Sequence, residues 1–474
     1  MQRPKQKLKQ NVALKIQQQK SKENSENQAL DKDVNAKMLI KFALPTLLSM
    51  VFMNAFGIVD GIFVMRMLDP SAMAAVGIVW PFVMFALSIG FMLGVGGNVL
   101  AAKRIGQGEI KEARSNFNLI VVTSFIVSAV MALGGILFTE QLLNILGANE
   151  EIFNQSLQYM QPMLYFLPFI LLGVVFQQFL MTEGKANISM IAFIIGGLLS
   201  VGLNFLLIGY LGWGLRGAAL ATSIGYTVPS IVGIIYFTFI RSGNLYFSKP
   251  KFSFKVLGRS AINGASEMVT MLSVSIVSTF MNNIVMNLPS GGPLGVASVG
   301  IGFSITGILS SVFIGFASGI VPIISYNFGK EHTENLKKLY SNSLRIIAVI
   351  AAISISFGWI FTSQFLRIYG NPSDPMFAPV YELAFRGIRI MSFGFIFMGF
   401  NTFASMFFTG FNDGKISSLL SFFRTLVFVM ISLWILPQIF EMDGVWAAMP
   451  FAEVPALLMT IYLLRTYKNK YRYA

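Results

Sequence analysis

From residue 38 onward the chain alternates long apolar runs with short polar breaks, and the runs lack the period-2 alternation of half-buried strands. An α-helix needs about 20 apolar residues to cross a bilayer core about 30 Å thick, and the runs are that long or longer. The pattern predicts twelve spanning helices, over residues 38–66, 71–97, 117–137, 156–182, 188–209, 215–240, 261–287, 294–324, 343–366, 380–408, 416–437 and 444–466. Pro45, Pro81, Pro162, Pro168 and Pro322 fall inside these runs and mark bends that neighbouring helices can repair. The fold class is therefore all-α integral membrane.

Composition agrees. Hydrophobic residues make up 55% of the 474 and charged residues only 12%, against about 25% charged in soluble domains. The first 37 residues differ from the rest. They are rich in Gln, Lys and Asn, lack the apolar core of a signal peptide, and read as a disordered basic tail held at an anionic membrane surface, not on nucleic acid. Of the 35 Lys and Arg, 29 lie in that tail and in alternate connections, so the positive-inside rule places both termini in the cytoplasm. There is no cysteine, which excludes disulfides and thiolate metal sites.

The chain also states its design twice. AAVGIVWPF at 74–82 corresponds to ASVGIGFSI at 297–305, RIGQGEIKEAR at 104–114 to NFGKEHTENLK at 327–337, and TEQLLNILGANEE at 139–151 to TSQFLRIYGNPSD at 362–374. Gly77 and Gly300, Gly106 and Gly329, and Gly147 and Gly370 all keep one offset, 223 residues. EGKANIS at 183–189 corresponds to DGKISSL at 413–419 at an offset of 230, after a few inserted residues. Six helices are an even number, so the two halves enter the membrane in the same orientation. Such parallel repeats are a transporter architecture with the substrate site between the halves. The predicted organisation is a tail (1–37), an N-terminal six-helix lobe (38–240), a cytoplasmic linker (241–260), a C-terminal six-helix lobe (261–466) around a central cavity, and a cytoplasmic C-terminus (467–474). The cytoplasmic connections GQGEIKEARS and GKEHTENLKK read as short charged amphipathic helices, and the only histidine, His332, lies in the second of them, a poor ligand candidate.

No ATP-binding loop is apparent. TGFNDGKIS at 409–417 has three residues rather than four between its glycines, and Ile416 replaces the hydroxyl a phosphate loop requires. The energy must come from an ion gradient or an associated subunit, without a cofactor.

Asp60, in FGIVDGIFVM, interrupts an apolar span where a carboxylate costs about 2.5–3.5 kcal/mol. Desolvation disfavours the ionised form, so an acid at such depth can trade a proton for a cation. Its counterpart in the second half is the uncharged Asn283. Glu267 lies near the start of the seventh helix, where the helix dipole alone would favour it, and with Asn283 it is equally a candidate for lining the substrate cavity. Glu453 is expected to line the C-terminal cavity, Arg424 to face a partner or that cavity, and Glu382 to pair with Arg386 one turn on. Met53, Phe56 and Met281 are candidates for adaptable contacts with flat cations.

The order of LPTLLSMVFMNAFGIVDGIFVMRM, AMAAVGIVWP, AKRIGQGE, TEGKANISM and VGLNFLLIGYLGWGLRGAALATS, with second-half equivalents, resembles the multidrug and toxic compound extrusion family over residues 38–466. The resemblance implies two six-helix lobes around a cavity, acting as a monomer in a bacterial plasma membrane and exporting organic cations in exchange for H⁺ or Na⁺. It aligns Asp60 with the family's coupling carboxylate and Asn204 and Thr222 with polar positions beside it. Ile208 stands where some members have a second aspartate, and Arg386 and Arg389 occupy the tenth helix where the sodium-linked branch carries an acid; both departures favour the proton. Two rivals remain. A lipid-linked sugar or cell-wall precursor flippase would use Arg386, Arg389 and Arg424 to hold pyrophosphate; a membrane enzyme would show clustered His, Asp or Ser where the chain offers one loop histidine, and a channel would show single-channel conductance in a planar bilayer.

Overall fold

The computed structural model describes residues 34–68, 70–148, 150–375 and 377–474, so the expected tail, as far as residue 33, lies outside them. The first half comprises α1 (Ala36–Met67), α2 (Pro70–Gly106), α3 (Ile110–Leu137), the short α4 (Thr139–Leu146), α5 (Glu150–Thr182), α6 (Ala186–Asn204) and α7 (Gly214–Ile235). The helices α6 and α7 widen at their ends into π-helical turns, Phe205–Tyr210 and Tyr236–Ile240. The second half comprises α8 (Phe254–Asn287), α9 (Gly292–Gly329), α10 (Thr333–Ile360), the short α11 (Thr362–Tyr369), α12 (Ala378–Ser392), α13 (Phe395–Gly410), α14 (Gly414–Phe422), a π-helical turn (Phe423–Val427) and α15 (Phe428–Tyr471).

Among the described residues ten helical stretches are long and apolar enough to cross a membrane as they stand, and α12 with α13 forms a further span bent by 54°. The last stretch, Gly414–Tyr471, is 58 residues long, about 87 Å of helix and far more than one crossing. It breaks at Glu441, whose φ of 49° is left-handed, and so supplies two crossings. Among the described residues twelve spans result, six in each half.

The 223-residue offset reappears in the helix boundaries. Adding it to both ends of α3 gives those of α10, and the same holds for α4 and α11. Other expected boundaries move. The charged connections are not separate helices, since Lys111–Arg114 and Asn335–Lys338 form the first turns of α3 and α10. At 28 residues each helix is about 42 Å long, so its polar turns project beyond the hydrocarbon. The first helix starts before residue 38 because Asn35 caps it, its side chain accepting from Met38 N at 2.9 Å, and Val34 is buried beside it. The linker is shorter than expected because Ser253 caps α8 through Val256 N. The end of the chain is tied down: Tyr473 is buried, and its hydroxyl donates to Leu464 O.

The two halves meet most closely at the basic end, where α2 and α9 finish. There Leu39, Ala43, Leu93 and Ala101 of the first half share one buried cluster with Ile320, Ile324, Phe403 and Phe407 of the second. Toward the other end this single core divides into one cluster confined mainly to each half. The crossing is pseudo-symmetric. A Cβ on Gly106 would lie 2.3 Å from Tyr326 O, and one on Gly329 would lie 2.4 Å from Lys103 O. Each residue of the second contact lies 223 positions from its mate in the first. The lobes are therefore packed together at the basic end, and their cores part toward the other.

Gly106→Val or Gly329→Val should hold the basic end apart. Because the chain lacks cysteine, a single Val99→Cys, buried against Ala317 and Val321, should be labelled from the basic side in either variant and resist labelling without it. Equal labelling with and without the glycine substitution would remove the closing role.

The connection between the halves is strapped to the first. Arg114 donates to Asn244 O at 3.0 and 3.2 Å and stacks its guanidinium 3.5 Å from the Tyr246 ring centre. Asn118 donates to Tyr246 O and accepts from Ser248 N, Glu183 accepts from Leu245 N, and Ser115 Oγ accepts from Lys251 N.

Candidate functional site

The close crossing of α6 and α7 brings the polar residues of the first half together. A Cβ on Gly196 would lie 2.3 Å from Gly225 O, so only glycine admits this approach. One turn along, Ser200 and Asn204 occupy one face of α6, since residues four apart are neighbours, and Thr222 faces them from α7. All three converge on Asp60. Asn204 Nδ2 donates to Oδ1 at 2.9 Å, Thr222 Oγ1 to Oδ2 at 3.1 Å, and Ser200 Oγ to both oxygens at 3.2 and 3.3 Å. Among the described residues no cationic side chain pairs with Asp60. Hence neutral dipoles alone hold this carboxylate, and a proton or another cation can answer its charge.

Met53, Phe56, Phe193, Gly197 and Tyr226 complete a cavity of about 30 Å³ around Asp60, the volume of about one liquid water. It suits a water or a small ion and excludes a drug-sized molecule. Tyr159, also buried, feels the Asp60 charge from α5. The structure thus unites Asp60, Asn204, Thr222, Met53 and Phe56, and adds Ser200, Tyr159 and Tyr226, which the sequence reading missed. Ser200 was legible, one turn before Asn204 on the same helical face. The tyrosines lie on other elements and gave no signal.

The expected cavity residues of the second half scatter. Asn283 is exposed on α8 and lines an open groove of about 430 Å³ with Ser275, Ile276, Thr279, Phe280 and Met430, a volume in the range of small-molecule sites. With Asn282 and Asn287 it forms an exposed polar stripe that would be costly against lipid, which places it on a wetted cleft. Met281, only two positions from Thr279, points the other way and is buried with Val277, Val299 and Trp446, so the structure removes it from the cavity.

Glu453 is likewise no free cavity acid. Arg424 Nε donates to both of its carboxylate oxygens at 3.0 Å, Asn401 Nδ2 donates to its Oε2 at 2.7 Å, and Thr460 in turn donates to Asn401 Oδ1 at 2.8 Å. The π-helical turn that carries Arg424 aims it inward, where only 7% of its side chain is exposed. Glu267, buried on α8, lies within the electrostatic reach of Arg424. The expected Glu382–Arg386 pair does not form; Arg386 instead bridges to Asp443, which α15 presents just after its break.

Two duplicated six-helix lobes, closed on each other at one end and parted at the other, with a buried acid in one and a polar groove in the other, define a membrane transporter rather than an enzyme. The chain belongs to the MatE family, whose model matches residues 45–206 and 267–435. A Staphylococcus haemolyticus (strain JCSC1435) relative, multidrug export protein MepA, is 26% identical over 447 residues, covering 92% of this chain and 94% of that protein. The protein of the same name from Staphylococcus aureus (strain MRSA252) is 24% identical over 460 residues, covering 90% and 94%. A crystal structure of MATE in the straight conformation matches with a TM-score of 0.87 at 23% identity, covering 95% of this chain and 99% of that one. The outward-facing conformation of a multidrug resistance MATE family transporter also gives 0.87 at 23% identity, covering 94% and 98%. These structures share the twelve-helix, two-lobe fold.

Proposed function

We propose that the protein is a multidrug exporter of a bacterial plasma membrane, driven by proton exchange at Asp60 and moving organic cations by alternating access. The observation that carries the reading is the Asp60 carboxylate, held by three neutral donors in a water-sized cavity. The proton is favoured over sodium because the site offers a single carboxylate, which Asn204 Nδ2 and the two hydroxyls meet as donors. Ile208 also leaves the site without a second acid. The names of the staphylococcal relatives support drug export.

With the basic end in the cytoplasm, the open cleft faces outward. Deprotonated Asp60 makes the first lobe negative and favours a lipophilic cation in the adjoining cleft; a proton taken up from outside cancels that charge and releases it. Coupling of this kind requires only that the two protonation states differ in cation affinity. The flippase alternative loses support because its three arginines do not converge: Arg386 pairs with Asp443, Arg389 packs over Phe385 and Trp359, and Arg424 is held by Glu453.

In proteoliposomes, a pH gradient imposed alone should drive accumulation of a cationic dye such as ethidium, and a sodium gradient alone should not. The reverse result would replace the proton with sodium; transport under neither gradient would reject ion-coupled export.

A further inference from the structure

The first lobe buries more unpartnered polar atoms than its packing explains. Asn98 Nδ2 on α2, Gln177 Oε1 and both amide atoms of Gln178 on α5, and Ser230 Oγ on α7 have no hydrogen-bond partner among the described residues. All four side chains are at most 2% exposed. Leaving such groups dry is unfavourable, and ordered water is the usual remedy.

Their positions form a line. Tyr226 lines the Asp60 cavity; its carbonyl oxygen and Ser230 N lie 3.2 and 3.4 Å from where a Cβ on Gly173 would sit, so α5 and α7 touch there. Gln177 follows Gly173 by one turn. Gly94 brings α2 against Gln178, whose Cγ would be 3.2 Å from an added Cβ, and Asn98, one turn on, accepts from Thr182. Glu183 then meets the linker at the basic end through Leu245 N. Near the start of the line, Asn204 Oδ1 beside Asp60 is also unpartnered. Successive turns rise about 5.4 Å, close to the span of two hydrogen bonds of about 2.8 Å through one water.

We propose that Asn98, Gln177, Gln178, Thr182 and Ser230 hold a file of water molecules leading from Asp60 to the basic end, and that this file is the proton's exit. The inference rests on the reading of Asp60 as a proton exchanger. The transfer follows closure of the outward cleft over Asp60, so that the acid never faces both sides at once. In it the Asp60 O–H bond breaks, the first water takes the proton as hydronium, and each water passes one proton onward until water at the basic end accepts it. Asp60 is left as carboxylate. The amides orient the waters and take no proton themselves.

The absence of native cysteine allows a direct test of hydration. In purified Gln178→Cys protein the single S–H infrared band should convert to S–D promptly in D₂O, while Val174→Cys, in the apolar core of the same helix, should convert slowly. Equally slow conversion would overturn the file. In proteoliposomes Gln178→Leu should slow proton-coupled dye transport several-fold with dye affinity unchanged, and Gln178→Asn, which keeps an amide, should restore it. Unaltered transport in Gln178→Leu alongside prompt exchange in Gln178→Cys would overturn the proton route while leaving the role of Asp60 intact. Failure of Asp60 itself is read separately, from Asp60→Asn.

Discussion

Asp60→Asn should abolish dye transport driven by a pH gradient, lowering it to the level of protein-free vesicles, while yield and thermal stability stay near those of the unmodified protein. Asparagine fills nearly the same volume in a cavity with room for about one water, and its side-chain oxygen can still accept from Asn204 or Thr222. What it loses is the charge and the exchangeable acid proton, so the first lobe is fixed in the equivalent of its protonated state. A ligand shifts an equilibrium only by its differential affinity for the two states, and here the difference has been erased. Asp60→Glu should also impair transport, because the longer side chain moves the carboxylate away from the three donors that now hold both its oxygens. Gradient-driven transport by Asp60→Asn at the normal rate would reject the coupling role.

Arg424→Met should destabilise the second lobe strongly. It leaves Glu453, 15% exposed, with its Asn401 bond but without its cation, and breaking one side of a buried ion pair costs up to about 3–5 kcal/mol. The double variant Arg424→Met with Glu453→Met should regain most of that loss, since replacing both charges by apolar groups is often neutral. Melting in detergent, followed for the two single variants and the double, checks this. If the double variant melted as low as Arg424→Met, the pair would not be the source of the stability.

The spans were legible because lipid imposes one demand on every turn of a crossing helix, and a run of apolar residues records it. The duplication was legible for a similar reason: Gly106 and Gly329 recur because a crossing between equivalent helices leaves no room for a side chain at either. Rotation about the helix axis was not. A helix apolar all round gives no sign of which face meets the cleft; α8 is the exception, since Ser275, Thr279, Asn283 and Asn287 recur every fourth residue along its groove face and Met281 lies off that face, in the core. Local spacing misled for Arg386, where a turn-to-turn pair with Glu382 lost to Asp443 on another helix. The Asp60 cluster came from the family resemblance for Asn204 and Thr222; the α6–α7 crossing that adds Ser200 depends on Gly196 and Gly225, whose role appears only when both helices are seen.

The strapped connection decides where the two lobes can swing. Its backbone is anchored to α3 as far as Lys251 N, and Ser253 already caps the next helix. The free joint is therefore about two residues around Phe252, no more than about 7 Å of extended chain. The covalent tether then travels as cargo of the first lobe, and the pivot sits at a fixed address at the foot of α8.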